Sequence, residues 1–296
     1  MLQRAALAAT GHQQHAPGTL YVVATPIGNL ADLSLRAIHI FSLVAAVACE
    51  DTRVAAQLLR HLGLQRPLLA LHAHNEHEAA AQVLLRLAAG ESVAYVSDAG
   101  TPAVSDPGAV LVNAAAAAGH PIVPIPGPSS ALAALSVAGD TLGRGFAFVG
   151  FLPAKGNERG QALAAVLACA TTQVLFEAPH RIESLLTALA QAAPLRRTTL
   201  CRELSKQFET VVTRAAAELP AWLAEDANRL RGEFVLVLHA TPAAPANDHA
   251  LPAQALHTLQ VLLRELPLKQ AVSLTAELSG APRNALYQQA LLLRAE

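Results

Sequence analysis

Aromatic residues, charged residues and cysteine are all scarce in this 296-residue sequence. Aromatic side chains make up 4% of it and charged side chains 15%, whereas 53% of the residues are hydrophobic. A chain this apolar can bury a large core, which excludes intrinsic disorder for most of its length. The formal net charge of −1 excludes a uniformly basic nucleic-acid-binding surface, so any RNA contact must come from a local basic patch.

Several further absences narrow the class of protein. The three cysteines, Cys49, Cys169 and Cys201, are far apart and odd in number, so they form neither a disulfide framework nor a paired metal motif. No Gly-x-Gly-x-x-Gly follows the first strand and no Gly-x-x-x-x-Gly-Lys-Ser/Thr occurs, which removes support for common dinucleotide and P-loop sites. The uncharged stretch 107–139 is broken by four prolines between 121 and 128 and cannot be one membrane-spanning helix. We therefore expect a cytoplasmic protein without a membrane segment.

Short β-branched segments alternate with longer alanine- and leucine-rich segments of helical periodicity in the first half of the chain. This alternation predicts βαβ units and a mainly parallel sheet. After Gly139 the strands become more frequent and the helices shorter, which predicts a second α/β domain with a mixed sheet. The predicted strands are 20–25, 44–48, 92–97 and 122–125, followed by 146–150, 173–177, 198–202, 209–213 and 233–239.

These patterns divide the chain into five expected segments. They are a disordered tail (1–18), an N-terminal α/β domain (19–142), a C-terminal α/β domain (143–240), a linker (241–250) and a helical extension (251–296). The tail lacks the apolar core of a signal peptide. The extension is predicted to form three helices with helix-turn-helix spacing at its end, a unit that often contacts nucleic acid. Its charge is barely positive, so a packing or dimer-contact role is an equal alternative.

Glycine and proline cluster directly after three of the predicted strands. The loops are 24–30 (ATPIGNL), 97–108 (SDAGTPAVSDPG) and 126–130 (PGPSS). Open α/β sheets bind ligands at the carboxyl ends of their parallel strands, so these loops are expected to meet in one cleft. Glycine lets the backbone approach a ligand closely, and proline stiffens a loop without adding an amide that needs a partner. Each loop alone could be an ordinary turn, but three together predict a ligand site.

Charged residues follow several of the same strands. Glu50, Asp51 and Arg53 come directly after the second strand, and Lys206 follows a later one. They suit a polar ligand or an internal ion pair between Arg53 and a carboxylate. Arg181, in the string FEAPHR, suits a phosphate or a cofactor carboxylate, which arginine binds through two hydrogen bonds; the alternative is a surface residue at a helix start.

His72, His74 and His77 superficially resemble a metal site. They lie in a strand-to-helix loop without a supporting motif, so we predict a polar loop at the cleft mouth or the surface and no bound metal. A metal hydrolase is retained as an alternative that metal analysis would reveal. No Gly-x-Ser-x-Gly elbow occurs, so acyl-enzyme chemistry has no candidate nucleophile.

These strings, taken in order, resemble the tetrapyrrole-methylase superfamily, and more closely its members that methylate small-subunit ribosomal RNA. The similarity covers about residues 20–240, and the helical extension resembles the C-terminal helices of the same proteins. The matching segments are LYVVATPIGNLADLSLRAI (20–38), CEDTR (49–53), HNE (74–76), VSDAGTPAVSDPG (96–108), PIPGPSSALAALSVAG (124–139), GFLPAK (150–155), FEAPHRI (176–182), RELSK (202–206) and GEFVLVL (232–238).

The resemblance implies a homodimer of two-domain protomers that hold S-adenosylmethionine between the domains. It also implies methyl transfer to the 2′-hydroxyl of a cytidine in the decoding region of 16S rRNA, within the small ribosomal subunit. By motif position, the implied cofactor contacts are Pro26, Asp98, Ala99, Gly100, Val104, Ser129, Ser130 and Phe176.

A ribose hydroxyl is a weak nucleophile, so a general base would assist the reaction. The candidates are Asp98, Glu50 and Asp51. Cations that could steady substrate phosphates are Arg53, Lys155, Arg181 and Lys206. The string GFLPAKGNERG offers only Lys155 and Arg159 where relatives tend to be more basic. The alternatives are a superfamily methylase acting on a tetrapyrrole or another small substrate, and a non-catalytic nucleic-acid-binding protein.

Overall fold

The fold is described from a computed structural model that covers residues 2–242, 251 and 253–295. The chain forms two compact units, 1–240 and 241–296. Within the described ranges, no helix combines the length and the apolar character needed to cross a membrane.

The first sheet has five parallel strands in the order β3-β2-β4-β1-β5, which confirms the predicted parallel sheet. The strand β3 was not predicted because only three residues, Leu68–Ala70, form it. The strands are β1 (Leu20–Val23), β2 (Ala46–Cys49), β3 (Leu68–Ala70), β4 (Val93–Val96) and β5 (Ile122–Ile125). The helices of this part are α1 (Leu2–Thr10), α2 (Leu35–Leu43), α3 (Thr52–His61), α4 (Glu76–Ala88), α5 (Ala109–Ala117) and α6 (Ser130–Ala138).

The second sheet is mixed, as predicted, with the strand order β6-β7-β10-β8-β9. Strands β6 and β7 run parallel, whereas β10 is antiparallel to both of its neighbours and β9 is antiparallel to β8. The strands are β6 (Phe146–Phe151), β7 (Thr172–Glu177), β8 (Arg197–Arg202), β9 (Thr210–Ala215) and β10 (Phe234–Leu238). The accompanying helices are α7 (Gly156–Ala168), α8 (Ile182–Ala192) and α9 (Leu219–Ala224).

Helix α6 joins the two sheets. It follows β5 of the first sheet, and its alanines Ala131, Ala134 and Ala138 share a buried apolar cluster with Val174 and Val237 of the second sheet. Alanine side chains are short enough to let this helix approach the strands closely, which is how an alanine-rich chain fills a core. The carboxyl edge of the first sheet therefore faces residues of the second sheet.

The N-terminal residues differ from the sequence prediction. A disordered tail was expected over 1–18, but residues 2–10 form helix α1. Ala6 of this helix is 1% exposed and belongs to the same core cluster as Phe41 of α2. The side-chain amide of Gln3 donates to the carbonyl of Leu62 at 2.9 Å. The helix forms because tertiary contacts bury its apolar face, a gain that its short and interrupted apolar run did not reveal.

Residues 253–295 form the three predicted helices, α10 (Ala253–Glu265), α11 (Leu268–Ser279) and α12 (Arg283–Ala295). They enclose a small core of their own, which includes Leu259, Val272 and Leu286. Gly280 ends α11 in the left-handed conformation, with φ of 67°, which a residue without Cβ adopts at little cost. The predicted linker 241–250 lies largely outside the described residues.

Candidate active site

The three glycine- and proline-rich loops meet at one edge of the first sheet, as predicted. Thr25 and Gly100 exchange backbone hydrogen bonds of 2.9 and 3.1 Å, which joins the loops after β1 and β4. The hydroxyl of Thr101 donates to the carbonyl of Pro128 at 3.0 Å and so joins the loops after β4 and β5. These cross-links hold the loops together mainly through their backbones.

Two neighbouring cavities open at this edge. The larger, about 360 Å³, lies between the loops of the first sheet and the second sheet, and we call it the intersheet cleft. Its first-sheet wall contains Ile27, Ala99 and Asp106. The full lining is Ile27, Ala99, Ser105, Asp106, Ser130, Phe151, Phe176, Glu177, Ala178, Pro179, Leu204, Glu233, Phe234 and Val235.

The second cavity, about 280 Å³, lies between the loop after β1 and helix α3, and we call it the α3 cavity. Val54, Leu58 and Val96 make much of its wall apolar, while Gln57 and Asp98 add polar groups. The full lining is Thr25, Pro26, Gly28, Leu30, Cys49, Val54, Ala55, Gln57, Leu58, His61, Val96, Ser97 and Asp98. The consecutive residues Asp98 and Ala99 line one cavity each, so the two spaces meet at this peptide.

The predicted cofactor residues divide between these two cavities. Ala99, Ser130 and Phe176 line the intersheet cleft, which has contributions from both sheets. Pro26 and Asp98 line the α3 cavity instead. A single cleft was expected, so the separation of Pro26 and Asp98 from the other three is a finding of the tertiary structure.

The other three predicted cofactor residues line neither cavity, and two of them stabilise the loops instead. Gly100 forms the backbone bridge to Thr25, and Ser129 is the N-cap of α6, where its hydroxyl accepts from the amide of Leu132. Val104 is 58% exposed in the loop after β4.

Carboxylates are concentrated where the two cavities meet. One oxygen of Asp98 accepts a hydrogen bond of 3.0 Å from the backbone amide of Asp51, which fixes the carboxylate in place. Burial and the carboxylates of Asp98, Asp106 and Asp51 raise the pKa of Glu50. Burial also raises the pKa of Asp106, to which Asp98 adds, although a hydrogen bond with Ser97 acts in the opposite direction. This mutual repulsion makes the region favourable for a positive charge.

Asp51 and Arg53 are committed to each other. Hydrogen bonds from Arg53 lower the pKa of Asp51 to about 2, and the shortest of them joins the guanidinium to the carboxylate at 2.6 Å. Asp51 is also the N-cap of α3. The Arg53 side chain is 88% exposed, so the ion pair that the sequence left as an alternative is present at the surface.

Two of the other predicted substrate cations also form ion pairs. Arg181 Nε lies 3.0 Å from the buried carboxylate of Glu177, and Lys206 Nζ lies 2.9 Å from Glu203 and 3.0 Å from Glu233. Lys155, just before α7, is exposed and forms no ion pair among the residues covered.

Sequence reasoning missed the role of Glu177, the last residue of β7. Its side chain is fully buried, and a second guanidinium, that of Arg159, lies 3.2 Å from it. Arg181 donates in addition to the carbonyl of Leu152 at 2.6 Å. This network ties the loop after β6 to the end of β7. The glutamate in FEAPHR was the only signal of it in the sequence.

Phenylalanines line the same side of the cleft. The ring centroid of Phe176 lies 5.0 Å from that of Phe148 and 5.6 Å from that of Phe151, with the rings near perpendicular in both pairs. Phe151 remains 56% exposed, so part of this aromatic surface is open to a ligand.

The histidine loop is connected to the site through Glu76. The rings of His72 and His74 lie 6.1 Å apart, and within the residues that the structure describes no group of three His, Cys, Asp or Glu side chains converges on a metal position. The carboxylate of Glu76 accepts from the amide of Gly108 at 2.6 Å. The string HNE therefore holds the end of the loop after β4.

Comparison with known proteins identifies the family. Residues 19–220 match the family model of tetrapyrrole (corrin/porphyrin) methylases, and residues 249–294 match the RsmI C-terminal HTH domain. The chain therefore belongs to the tetrapyrrole methylases.

The chain also has full-length relatives among curated proteins. A Pseudomonas aeruginosa protein is 50% identical over 275 residues, which cover 93% of this chain and 97% of the relative. An Escherichia coli O157:H7 protein is 46% identical over 93% of this chain and 95% of its own length. Both relatives are called ribosomal RNA small subunit methyltransferase I.

Solved structures agree with the fold. A uroporphyrin-III-C-methyltransferase from Thermus thermophilus superimposes with a TM-score of 0.54 at 22% identity, over 75% of this chain and 94% of that one. A diphthine synthase superimposes with a TM-score of 0.57 at 15% identity, over 76% and 91% of the two chains. At these identities the likeness establishes the fold alone.

Proposed function

We propose that this protein is an S-adenosylmethionine-dependent methyltransferase of small-subunit ribosomal RNA. Its target would be the 2′-hydroxyl of a cytidine in the decoding region of 16S rRNA. Membership of a methylase family and full-length relatives named for methylating this RNA support the proposal. The observation that carries it is the pair of cavities meeting at Asp98 and Ala99, because a transfer between two substrates needs two adjacent sites.

The intersheet cleft fits the methyl donor. The amides of Ile27 and Ala99 belong to residues lining the cleft and donate no hydrogen bond within the part of the chain that the structure describes, so both remain for a polar ligand. The rings of Phe151 and Phe176 offer an aromatic surface to an adenine. When bound, S-adenosylmethionine supplies a methyl group activated by a positively charged sulfur. The carboxylates of Asp98 and Asp106 suit that charge.

The α3 cavity would take the nucleotide to be methylated. Apolar side chains such as Val54 and Leu58 suit the faces of a base, and Gln57 provides a polar group for its edge. Holding the ribose oxygen in line with the methyl group contributes several kcal/mol, on the order of what alignment supplies in enzymes generally.

Asp98 is the general base in this proposal. The amide of Asp51 occupies one carboxylate oxygen, and the other oxygen accepts no hydrogen bond from the described residues. That free oxygen would accept the proton that the ribose hydroxyl loses on methylation. Glu50 lines neither cavity, and Asp51 is held by Arg53, so both are less suited than Asp98.

The test is mass spectrometry of 16S rRNA from a strain that lacks the gene and carries either the wild type or a variant. We expect one ribose methyl in the decoding region to be lost, and to be restored by the wild type and by the control Glu78→Gln, whose side chain is exposed on α4. We expect Asp98→Asn to bind S-adenosylmethionine in calorimetry but to methylate at least a hundredfold more slowly, about the contribution of a general base.

Three results would go against the proposal. Methylation by Asp98→Asn at the wild-type rate would show that Asp98 is not the general base. If the wild-type protein does not bind S-adenosylmethionine, the proposed methyltransferase activity is refuted. Turnover of uroporphyrinogen, with ribosomal RNA left unmodified, would favour the small-substrate alternative. The homodimer implied by the resemblance and the cytoplasmic location expected from the sequence also stay predictions, and sedimentation analysis would check the homodimer.

A further inference from the structure

The C-terminal helical unit has a cavity of its own between α11 and α12. Its polar lining consists of Lys269 and Ser273 from α11 and Arg283, Asn284 and Tyr287 from α12, with one apolar side chain, Val272. Every polar member can donate a hydrogen bond, and no carboxylate belongs to the lining.

A side-chain hydrogen bond joins the two sides of the cavity. The guanidinium of Arg283 donates to the hydroxyl of Ser273, a bond that crosses from α12 to α11. Lys269 lies one helical turn before Ser273, so both side chains lie on the same face of α11. Behind them Val272 and Leu286 are buried in the core of the unit. Lys269 and Arg283 are therefore attached to helices that pack against each other through a buried core.

The pairing of these cations differs from that of the guanidiniums around Glu177. Neither Lys269 nor Arg283 forms an ion pair with a carboxylate in residues 253–295, whereas Arg159 and Arg181 are paired with Glu177. Two cations that have no carboxylate partner among the described residues make the cavity favourable for an anion. A guanidinium binds two oxygens of a phosphate at once, and an ammonium adds a point charge.

We propose that this cavity binds a backbone phosphate of RNA and that Tyr287 stacks on an adjacent base. Tyr287 is 39% exposed, so its ring is open to a base, and stacking on an aromatic ring tolerates any base. The hydroxyl of Ser273 and the amide of Asn284 add donors for phosphate or sugar oxygens. Such contacts position an RNA without reading its sequence. The choice of ribosomal RNA as the ligand rests on the proposed function.

The test compares the double variant Lys269→Gln/Arg283→Gln with Arg264→Gln, which removes an exposed cation of α10 outside the cavity. The full-length proteins are titrated with a single-stranded decoding-region fragment of 16S rRNA at several salt concentrations. Loss of the one phosphate contact should reduce the slope of log affinity against log salt by about 0.7, the value for one phosphate of a single strand, whereas Arg264→Gln should leave it within error.

Tyr287→Leu separates stacking from charge. It should weaken RNA binding about tenfold, within the range measured for stacking on aromatic residues, while the salt slope stays as in the wild type. Affinity for S-adenosylmethionine and the free energy of unfolding should be unchanged in all of these variants, which checks that the first unit is intact.

Two results would overturn the proposal: an unchanged salt slope in the double variant, or an equal reduction by Arg264→Gln. Failure of the proposed function is separable from failure of this site. If the wild-type protein binds the RNA through this cavity but does not methylate it, the RNA-binding site is supported and the proposed methyltransferase function is refuted. If the protein methylates the RNA but the salt slope is the same with and without Lys269 and Arg283, the function is supported and the RNA-binding site is refuted.

Discussion

The two walls of the intersheet cleft are stabilised by different kinds of contact. The wall from the first sheet belongs to loops that are held together through their backbones, by the reciprocal bonds of Thr25 and Gly100. The wall from the second sheet is made of side chains, with the rings around Phe176 and the ion pairs of Glu177 and Lys206. The cleft therefore depends on backbone hydrogen bonds on one side and on side-chain contacts on the other.

This difference determines which substitutions each wall tolerates. A backbone-built wall is insensitive to most side chains and sensitive where a Cβ would collide with a neighbour. A side-chain-built wall depends on single residues, above all on a buried charge and the opposite charges that neutralise it.

The largest effect is expected on the side-chain wall. Glu177→Gln removes the carboxylate that two guanidiniums share, and Arg159 and Arg181 are each only 16% exposed. Leaving buried charges without a partner should lower the free energy of unfolding by about 3 kcal/mol, measured by urea denaturation. Glu91→Gln breaks an exposed pair with Arg86 and should cost at most about 0.5 kcal/mol. An equal loss of unfolding free energy in Glu177→Gln and Glu91→Gln would show that the second-sheet wall does not depend on this buried charge.

A smaller effect is expected where the loop after β1 touches the loop after β8. A Cβ on Gly28 would lie 2.4 Å from Cγ of Lys206, so Gly28→Ala must displace the lysine and disturb its ion pairs. We expect a loss of about 1–2 kcal/mol in the free energy of unfolding and a weaker affinity for S-adenosylmethionine. Gly145→Ala, where a Cβ would meet nothing within 4 Å, should change stability by less than about 0.5 kcal/mol. Wild-type affinity and stability in Gly28→Ala would show that the contact is unimportant.

The smallest effect concerns the carboxylates beside the first wall. The pKa of Glu50 is raised from its ordinary value of 4.5, so its ionised form disfavours the folded state. Wild-type stability should therefore decrease as the pH rises through the raised pKa. Glu50→Gln should be slightly more stable than the wild type at pH 7, and this gain should vanish below pH 4.5. Urea midpoints between pH 4 and 8 measure it, and a gain that does not change with pH would exclude the charge as its cause.

Much of the fold was predictable because strand and helix periodicities are local. The nine predicted strands overlap nine of the ten described strands, and the loops rich in glycine and proline lie where predicted. The short strand β3 escaped detection, and α1 was mistaken for a tail because its burial depends on contacts with α2. Ala99, Ser130 and Phe176 line one cleft and stay predicted cofactor contacts, whereas Arg181 is an internal partner of Glu177.

The sequence by itself determined that three stiff loops would gather at one sheet edge. Parallel strands put their carboxyl ends on the same side, and that geometry follows from the order of strands and helices along the chain. Only the tertiary structure decided that two cavities meet at Asp98 and Ala99, and which cations are paired. Lys206 meets Gly28 and Glu233 across long stretches of chain. Such contacts depend on how two sheets pack around α6, which no local pattern encodes.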